Sequence, residues 1–308
     1  MTNKLAPTYQ EPKTLQNRRE QIVSVSRIII FSWLCSLVFF ADWWNLQINH
    51  FYRVLVDLGV FTSNLAEPLA VIICFPLFIG MFNYFASRVP SLDVWKVEGE
   101  TQKKPNIVSS WKKEFRLRLG ILRTLLYITP ILLFEILRSQ FFAHKVPVQA
   151  PGALELLAGV LLALFVYDVL FTVGHLAMHK VKKLYKWHAP HHSNKNIQAV
   201  DTIELSLPEA AGEVFISILA LNLTFAHPLT RLVYDIVIVY LLVELHSGYN
   251  LPLSLHSLFP KIFYGGKQHY DHHCYGAPYY CKFFSPLDKV LHSFNNIQRG
   301  ETAGRKNS

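Results

Sequence analysis

The chain has 308 residues, of which 51% are hydrophobic and only 17% are charged, and its formal net charge is +9. A soluble globular domain carries about 25% charged residues, so this composition excludes a disordered, collagen-like or disulfide-rich chain and favours an integral membrane protein. The basic residues flank apolar segments, and no zinc-finger spacing or RNA-binding signature accompanies them. The charge therefore indicates membrane orientation and not nucleic-acid binding.

Six apolar segments predict an all-α fold, a polytopic membrane helix bundle. The last two are separated by His227-Pro228, and each is at or below the length that a spanning helix needs. They therefore form a hairpin that is either tilted across the membrane or half-buried in it. In chain order the six segments are 28–44, 65–86, 119–137, 153–174, 211–226 and 229–245.

The distribution of Lys and Arg predicts the orientation of these segments. Five basic residues precede residue 28 and eight lie in the loop 87–118, whereas the loops 49–64 and 142–152 carry one each. Because cytosolic loops are enriched in Lys and Arg, the N-terminal tail and the loop 87–118 are expected in the cytosol. Alternation then places the C-terminal third of the chain on the same side.

Histidine is concentrated in the second half of the chain. Eleven of the 14 histidines lie between residues 175 and 273, and eight of those form three compact motifs. A ninth, His246, stands in the segment His246-Ser-Gly-Tyr-Asn250. The three motifs are HxxxH with His175 and His179, HxxHH with His188, His191 and His192, and HxxHH with His269, His272 and His273.

The spacing within these motifs suits metal binding. Residues at i and i+4 share a helical face, so His175 and His179 are expected to point at one centre, and His188 and His191 are expected to share a face as well. Adjacent histidines differ by about 100° on a helix, so such a pair can serve two centres. Eight imidazoles exceed one tetrahedral site, which predicts two ions with four or five nitrogens each. Imidazole suits Fe, Zn and Cu, so the ligands alone leave the metal open.

Polar residues near the motifs are candidates for a supporting layer that orients the imidazole N–H groups. Acids within apolar segments are functional candidates in a membrane protein, although helix-end or snorkelling roles remain open for each of them. The candidates are Asp168, Glu244, Asn250 and Asp271. No GxGxxG motif is present, and we expect no built-in haem, flavin or nicotinamide site.

The motifs and their surroundings resemble the fatty acid hydroxylase/sterol desaturase superfamily over about residues 145–292. The resemblance rests on the three histidine motifs together with further segments: Lys183-Leu-Tyr-Lys-Trp-His188, His227-Pro-Leu-Thr230, His246-Ser-Gly-Tyr-Asn-Leu-Pro252, Tyr264-Gly-Gly266 and Leu287-Asp-Lys289.

That resemblance implies a multi-pass enzyme of the endoplasmic reticulum membrane with a cytosolic, His-rich cap that holds two Fe ions. It implies that the motif histidines and His246 bind the metals, with no catalytic residue beyond these ligands. It also implies O2 as co-substrate, a sterol or other lipid as substrate, and electrons from NADPH through a reductase and a b-type cytochrome. The expected parts are a cytosolic tail (1–27), N-terminal spans with a basic loop (28–145), a fatty acid hydroxylase-like catalytic domain (146–295) and a C-terminal tail (296–308).

The leading hypothesis is therefore a non-haem di-iron sterol hydroxylase, an O2-dependent monooxygenase that acts at C25. A sterol C4-methyl oxidase or another lipid hydroxylase or desaturase is the alternative within the same chemistry. A His-lined metal transporter is the alternative from another class, and it predicts histidines on several spans facing a pore. A lipid-binding relative without activity is a further hypothesis, against which the complete set of motifs argues.

Overall fold

The computed structural model describes residues 11–62, 65–97, 146–193 and 197–291, together with residues 122, 129, 132, 133 and 293. Across this part of the chain the structure is helical and contains no β-strand, only two isolated bridges. The predicted all-α fold is confirmed. Apart from the isolated residues just named, the expected span 119–137 lies outside the described residues, as does the expected tail 296–308.

Nine α-helices have both ends within the described residues, short 3-10 turns at Pro90–Trp95, His191–Ser193 and Ala199–Ile203 connect some of them, and residues 285–291 are helical as well. In chain order the helices are α1 (Lys13–Phe39), α2 (Ala41–Asp57), α3 (Ala66–Arg88), α4 (Ala153–Lys180), α5 (Lys182–His188), α6 (Leu207–Leu223), α7 (Pro228–His246), α8 (Leu255–Leu258) and α9 (Gly266–Tyr275).

Within the described ranges, α1, α3 and α4 are long and apolar enough to cross a membrane, with mean hydropathies of 2.1, 2.1 and 2.4 over their most apolar stretches. They also expose large apolar side chains, such as Phe31 on α1, Ile73 on α3 and Phe165 on α4. Exposed apolar surface of this extent favours contact with lipid. These helices correspond to three of the predicted spans.

The first helix differs from the prediction at both ends. It begins at Lys13, so the boundary expected after residue 27 falls inside α1. It ends at Phe39, because Phe40, with a φ of −118° and a ψ of 36°, interrupts the helix within the expected span 28–44. Arg19 on its polar N-terminal part donates to the carbonyl of Asn250 at 2.9 Å, and Arg27 donates to the carbonyl of Leu258 at 2.8 Å. The basic start of the chain is thus packed against the segment that follows α7.

The core lies where α3, α4, α6 and α7 pack together, around fully buried rings such as Tyr167 and Tyr234. The approach of α4 to α7 depends on Gly159, because a Cβ there would lie 2.9 Å from Cγ2 of Thr230. This close contact lies near the N-terminal end of each helix, and the predicted ligands lie at the C-terminal ends. The end of α4 carries His175 and His179, and the end of α7 carries His246.

The turn after α7 is held by the segment that follows α3. The N–H of Val97 donates to the carbonyl of Gly248 at 3.0 Å, and the N–H of Asn250 donates to the carbonyl of Trp95 at 2.7 Å. Gly248 has a φ of +77°, a conformation that favours glycine, and a side chain there would meet the carbonyl of Ile197. These contacts fix the backbone immediately beyond His246.

Candidate metal centre

The structure brings all nine predicted histidines together, although they come from five separate pieces of the chain. Their nitrogens form two groups, and within each group the candidate ligand atoms lie within 4.8 Å of one another. We call them the five-histidine group and the four-histidine group. The first contains His175, His179, His188, His192 and His272, and the second contains His191, His246, His269 and His273.

In the five-histidine group the Nε2 atoms of the rings lie about as far apart as neighbouring ligands of one metal ion. The Nε2 atom of His175 lies 3.0 Å from that of His188 and 3.1 Å from that of His272. The Nε2 atom of His179 lies 3.1 Å from that of His272, and that of His192 lies 2.8 Å from that of His188. His188 and His272 are 13 and 97 positions away from His175 in the sequence. All three rings thus direct the same atom, Nε2, toward one point.

In the four-histidine group the Nε2 atoms also face one another, and all four residues are buried. The Nε2 atom of His246 lies 2.9 Å from that of His269 and 3.4 Å from that of His191. His273, one turn after His269 on α9, places its Nε2 atom 3.1 Å from that of His269. Each of the four side chains is at most 8% exposed.

Hydrogen bonds on the far side of the rings show why the Nε2 atoms converge. The Nδ1–H groups of three rings donate to backbone carbonyls: His175 to Tyr280 at 2.7 Å, His272 to Ala277 at 2.8 Å and His246 to Leu242 at 2.8 Å. A carbonyl only accepts, so Nδ1 carries the proton and Nε2 presents a lone pair.

Lone pairs that converge in this way repel one another unless a cation lies between them. Four to six nitrogens held about 2.1 Å from one ion lie about 3.0 to 3.4 Å apart, which is close to the 2.8 to 3.4 Å observed here. The donor set, the fixed tautomers and the spacing therefore fit one metal ion in each group.

Burial keeps these rings neutral. Burial and then the charges of neighbouring imidazoles lower the pKa of His188 to about 2, and burial is also the main reason that the pKa of His192 and of His272 falls to about 3. Neutral imidazole is the form that binds a metal, so the rings are ready to bind without releasing protons at neutral pH. Burial also lowers the pKa well below its ordinary value at His191, His269 and His273.

The adjacent pairs divide between the groups. His192 and His272 belong to the five-histidine group, and their neighbours His191 and His273 belong to the other. The expectation that His188 and His191 share a helical face is wrong, because α5 ends at His188 and a new 3-10 turn begins at His191. Their ring centroids are still 5.6 Å apart, but each ring serves a different group.

Helix α9 is terminated by Gly276. Gly276 has a φ of +67°, and its N–H donates to the carbonyl of His272 at 3.0 Å, while the N–H of Ala277 donates to the carbonyl of Asp271 at 3.3 Å. This C-terminal cap turns the chain back toward the helix. The carbonyl of Ala277 is thereby placed where it accepts from the His272 ring.

The four residues expected to support the rings have other partners. Asp168 accepts from the backbone N–H groups of Lys282, Phe283 and Phe284 at 2.6 to 3.0 Å, and so holds the segment that follows Tyr280. The others have these contacts: Glu244 accepts from Ser254 and Tyr240, Asp271 accepts from Lys267, and Asn250 contacts His256. Asp168 therefore acts on His175 through the backbone that carries the Tyr280 carbonyl.

The carboxylate that does contact a predicted ligand is Glu209, which is not among the residues that the sequence pattern predicted. Its Oε1 accepts from the Nδ1–H of His188 at 2.5 Å, and both side chains are buried. The sequence around Glu209 has the pattern of a helix start. In the structure Ser206 caps α6 by accepting from the N–H of Glu209. In Ser206-Leu-Pro-Glu209 an acid three residues after Ser suggests a capping role, and only the packing of α6 against α5 turns it toward the ring.

One turn farther along α6, Glu213 forms a buried ion pair with Lys282. The Nζ atom of Lys282 lies 2.7 Å from Oε1 of Glu213 and 4.1 Å from the ring centre of Phe171. Phe171 in turn packs against His175, with ring centroids 5.0 Å apart. The pair thus ties α6 and the segment after Tyr280 to the helix that carries the first histidine motif.

Comparisons with known proteins place this arrangement in a family. The chain matches the fatty acid hydroxylase family over residues 160–293, a range that contains all nine histidines. It is 37% identical to the cholesterol 25-hydroxylase of Homo sapiens over 168 residues, which are 54% of this chain and 61% of that protein. It is 32% identical to the cholesterol 25-hydroxylase of Rattus norvegicus over 265 residues, which are 79% of this chain and 87% of the rat protein.

The extent of these alignments varies. The match to the cholesterol 25-hydroxylase of Mus musculus has 35% identity and spans 58% of that protein, so the chain spans less than two thirds of the human and mouse relatives. No solved structure matches the chain. The long alignment with the rat protein and the family match over the histidine motifs confirm the resemblance that the sequence suggested. The chain belongs to the fatty acid hydroxylase family and is similar to the cholesterol 25-hydroxylases within it.

Proposed function

We propose that this chain is a membrane-bound, O2-dependent sterol hydroxylase, a monooxygenase that acts at C25 and holds two iron ions. The observation that carries the proposal is the convergence of nine mostly buried imidazoles into two groups, with hydrogen bonds that fix the tautomers of four rings: His175, His188, His246 and His272. The names of the related proteins support the sterol substrate and the position of hydroxylation.

The two groups are expected to bind one ion each, with the nine histidines as ligands. Bound iron would supply the O2 activation and the attack on an unactivated C–H bond that side chains alone cannot perform. In the overall reaction one oxygen atom of O2 enters the C–H bond and the other leaves as water, with electrons and protons supplied from outside. Imidazole also suits Zn, but Zn has no redox chemistry, so the hydroxylation favours iron.

The chain's own residues orient the ligands and exclude water. The backbone carbonyls of Tyr280, Ala277 and Leu242 hold three of the rings in the metal-binding tautomer, and Glu209 does so for His188. Burial of both groups limits the access of water, which would otherwise compete for reactive species. Asp168 and the Lys282–Glu213 pair support this scaffold as positioning residues and do not touch the reacting atoms.

We further propose that the groups face the cytosol at the endoplasmic reticulum membrane. The basic loops of the sequence support this orientation. A reductase that uses NADPH, together with a b-type cytochrome, would supply the electrons. The exposed lysines around α5, close to His179, would suit an acidic donor: Lys180, Lys182, Lys183 and Lys186.

The test is to incubate microsomes or purified, iron-loaded protein with labelled sterols, a reductase system and isotopically labelled O2. We expect 25-hydroxylated sterol with one labelled oxygen atom and about two iron ions per chain. Oxidation of the C4 methyl group would instead identify a sterol C4-methyl oxidase. Metal flux in vesicles without any oxidised sterol or acyl lipid would contradict the proposal and favour a transporter.

A further inference from the structure

The segment 280–284, which follows the cap of α9, is held through its backbone by two carboxylates. Its last three N–H groups donate to Asp168. The two before them donate to Asp288: the N–H of Tyr280 lies 2.9 and 3.0 Å from the carboxylate oxygens, and the N–H of Cys281 lies 3.3 and 3.4 Å from them. Five consecutive backbone N–H groups thus donate to two acidic side chains.

Asp288 is completely buried and lies in the first turn of the helical residues 285–291. A buried carboxylate is costly unless its oxygens accept hydrogen bonds. Besides the two backbone groups, the thiol of Cys281 donates to Oδ2 at 3.2 Å. These donors compensate the burial and fix the position of the carboxylate. Asp288 belongs to Leu287-Asp-Lys289, one of the segments on which the family resemblance rests.

A single peptide group connects Asp288 to a predicted metal ligand. The C=O of Tyr280 and the N–H of Cys281 belong to the same planar, trans peptide, so they point in opposite directions. The carbonyl oxygen accepts from the Nδ1–H of His175 at 2.7 Å, while the N–H donates to Asp288. The carboxylate at one edge of this peptide therefore fixes the direction of the carbonyl at the other edge.

The charge of Asp288 also acts along this chain of hydrogen bonds. Hydrogen bonds in series polarise one another, so an anion that accepts from the N–H makes the carbonyl of the same peptide a stronger acceptor. A stronger acceptor makes the His175 ring a better metal ligand at Nε2, as a carboxylate does when it contacts the far nitrogen directly. Glu209 has that direct contact with His188, whereas Asp288 acts through one peptide group.

The side chain of Tyr280 links the same segment to further ligands. Its ring centroid lies 5.5 Å from that of His179 and 6.0 Å from those of His175 and His272. All three rings belong to the five-histidine group. A shift of the backbone at Tyr280 would therefore disturb this group through the carbonyl and through the ring.

We propose that Asp288 is a positioning residue for the five-histidine metal site, which it supports by acting on His175 through the peptide between Tyr280 and Cys281. The inference rests on the metal binding in the proposed function and adds a residue to the layer that orients the ligands. A general loss of stability would weaken both metal sites. The effect of Asp288, in contrast, is confined to one of the two sites and requires the ring of His175.

The experiment uses Co²⁺ as a probe, because imidazole nitrogens bind it and its absorption spectrum depends on its ligands. Purified, metal-free full-length protein in detergent micelles is titrated with Co²⁺ in competition with a chelator. We expect Asp288→Asn to weaken one of the two sites about tenfold, at the lower end of the range for outer partners of a ligand, and to leave the other site unchanged. Asp57→Asn, at an exposed position, should bind Co²⁺ like the wild-type protein.

Ligand variants identify the weakened site. In combination with His175→Ala, the substitution Asp288→Asn should have no further effect on Co²⁺ affinity, because the ring through which it acts is gone. In combination with His246→Ala, which impairs the four-histidine group, it should still weaken binding about tenfold. Unchanged affinity in Asp288→Asn would overturn the inference, and so would an equal loss at both sites or in both combinations.

If Asp288→Asn does not fold, amide hydrogen exchange in the segment 280–284 decides the question. In His175→Ala the carbonyl of Tyr280 loses its partner, so exchange there should be faster than in the wild-type protein, whereas His246→Ala should leave it unchanged. Equal exchange in all three proteins would overturn the inference. A protein that shows the expected effects but yields no oxidised sterol would overturn the proposed function and leave the role of Asp288 standing.

Discussion

The imidazoles of His192 and His273 lie nearly parallel, with ring centroids 4.3 Å apart and planes inclined by 17°. The two rings belong to different histidine groups, so they form a shared wall between the two candidate metal sites. Two sites that share packed ligands are expected to influence each other's occupancy, because a displaced ring in one site shifts its neighbour in the other.

This relationship leads to a prediction for the ligands themselves. His191→Ala leaves three imidazoles in the four-histidine group, and His272→Ala leaves four in the five-histidine group. We expect both variants to lose hydroxylase activity, with bound metal falling from about two ions toward one in His191→Ala and by less in His272→Ala. Elemental analysis of the purified proteins measures this, with His50→Ala, an exposed position, as control. Full activity in either variant would contradict the assignment.

A second prediction concerns Glu209, which accepts from the far nitrogen of His188. Replacing such an outer partner lowers metal affinity by about 10- to 100-fold in other sites. We expect Glu209→Leu to show a loss of that size, and Glu209→Gln to show less because its amide oxygen still accepts a hydrogen bond. Competition with a chelator gives the affinities, with Glu20→Gln at an exposed position as control. Identical affinity in Glu209→Leu would mean that the carboxylate does not support the ligand.

A third prediction concerns the buried pair between Lys282 and Glu213. Removing one partner leaves an uncompensated buried charge, which costs about 3 to 5 kcal/mol of stability. Lys282→Met and Glu213→Leu should each lower the thermal unfolding temperature strongly, and the double variant should recover most of the loss. Lys96→Met breaks a half-exposed pair with Asp93 and should cost less than about 1 kcal/mol. Additive losses in the double variant would show that the two charges do not stabilise each other.

The fourth prediction is a pH dependence that arises from His256. Burial, and then the positive charge of Arg19, lowers the pKa of His256 to about 4, and the ring contacts Asn250 and Ser257. The unfolded chain, with a His pKa of about 6.5, binds this proton first as the pH falls. The contribution of neutral, buried His256 to the free energy of unfolding is therefore fully present above about pH 6.5. It is lost progressively as the pH falls toward 4.

Thermal unfolding between pH 7 and pH 4.5 tests this dependence. We expect His256→Gln to lose less stability over that range than the wild-type protein, by up to about 3 kcal/mol. The exposed substitution His50→Gln should follow the wild-type curve. Parallel curves for wild type and His256→Gln would show that this ring does not titrate within the transition.

Several features of this protein were predictable because they depend on local geometry. The spacing of His175 and His179 predicted a shared helical face, and both rings do lie in the five-histidine group. The apolar lengths predicted helices at α3 and α4, which begin within a residue of the expected positions. The division of His272 and His273 between two centres also followed from the angle between neighbouring residues on a helix, here α9.

Other features depended on packing between distant segments. The interruption at Phe40 and the helical start at Lys13 placed α1 differently from the apolar pattern, because contacts with the segment after α7 extend the helix through its polar end. Glu209 had the pattern of a helix cap, and its use as the partner of His188 depends on how α6 packs beside α5. The turn at Ala189-Pro190 likewise separated His188 from His191.

The sequence by itself determined where the apolar helices α3 and α4 begin and that His175 and His179 share a face, since both follow from a pattern that each helix carries along its own length. Only the tertiary structure decided which rings meet across 97 residues of chain, which carbonyl sets each tautomer, and which acid faces a ring. These outcomes depend on the close packing of helix ends from remote parts of the chain, and helical periodicity contains no information about that packing.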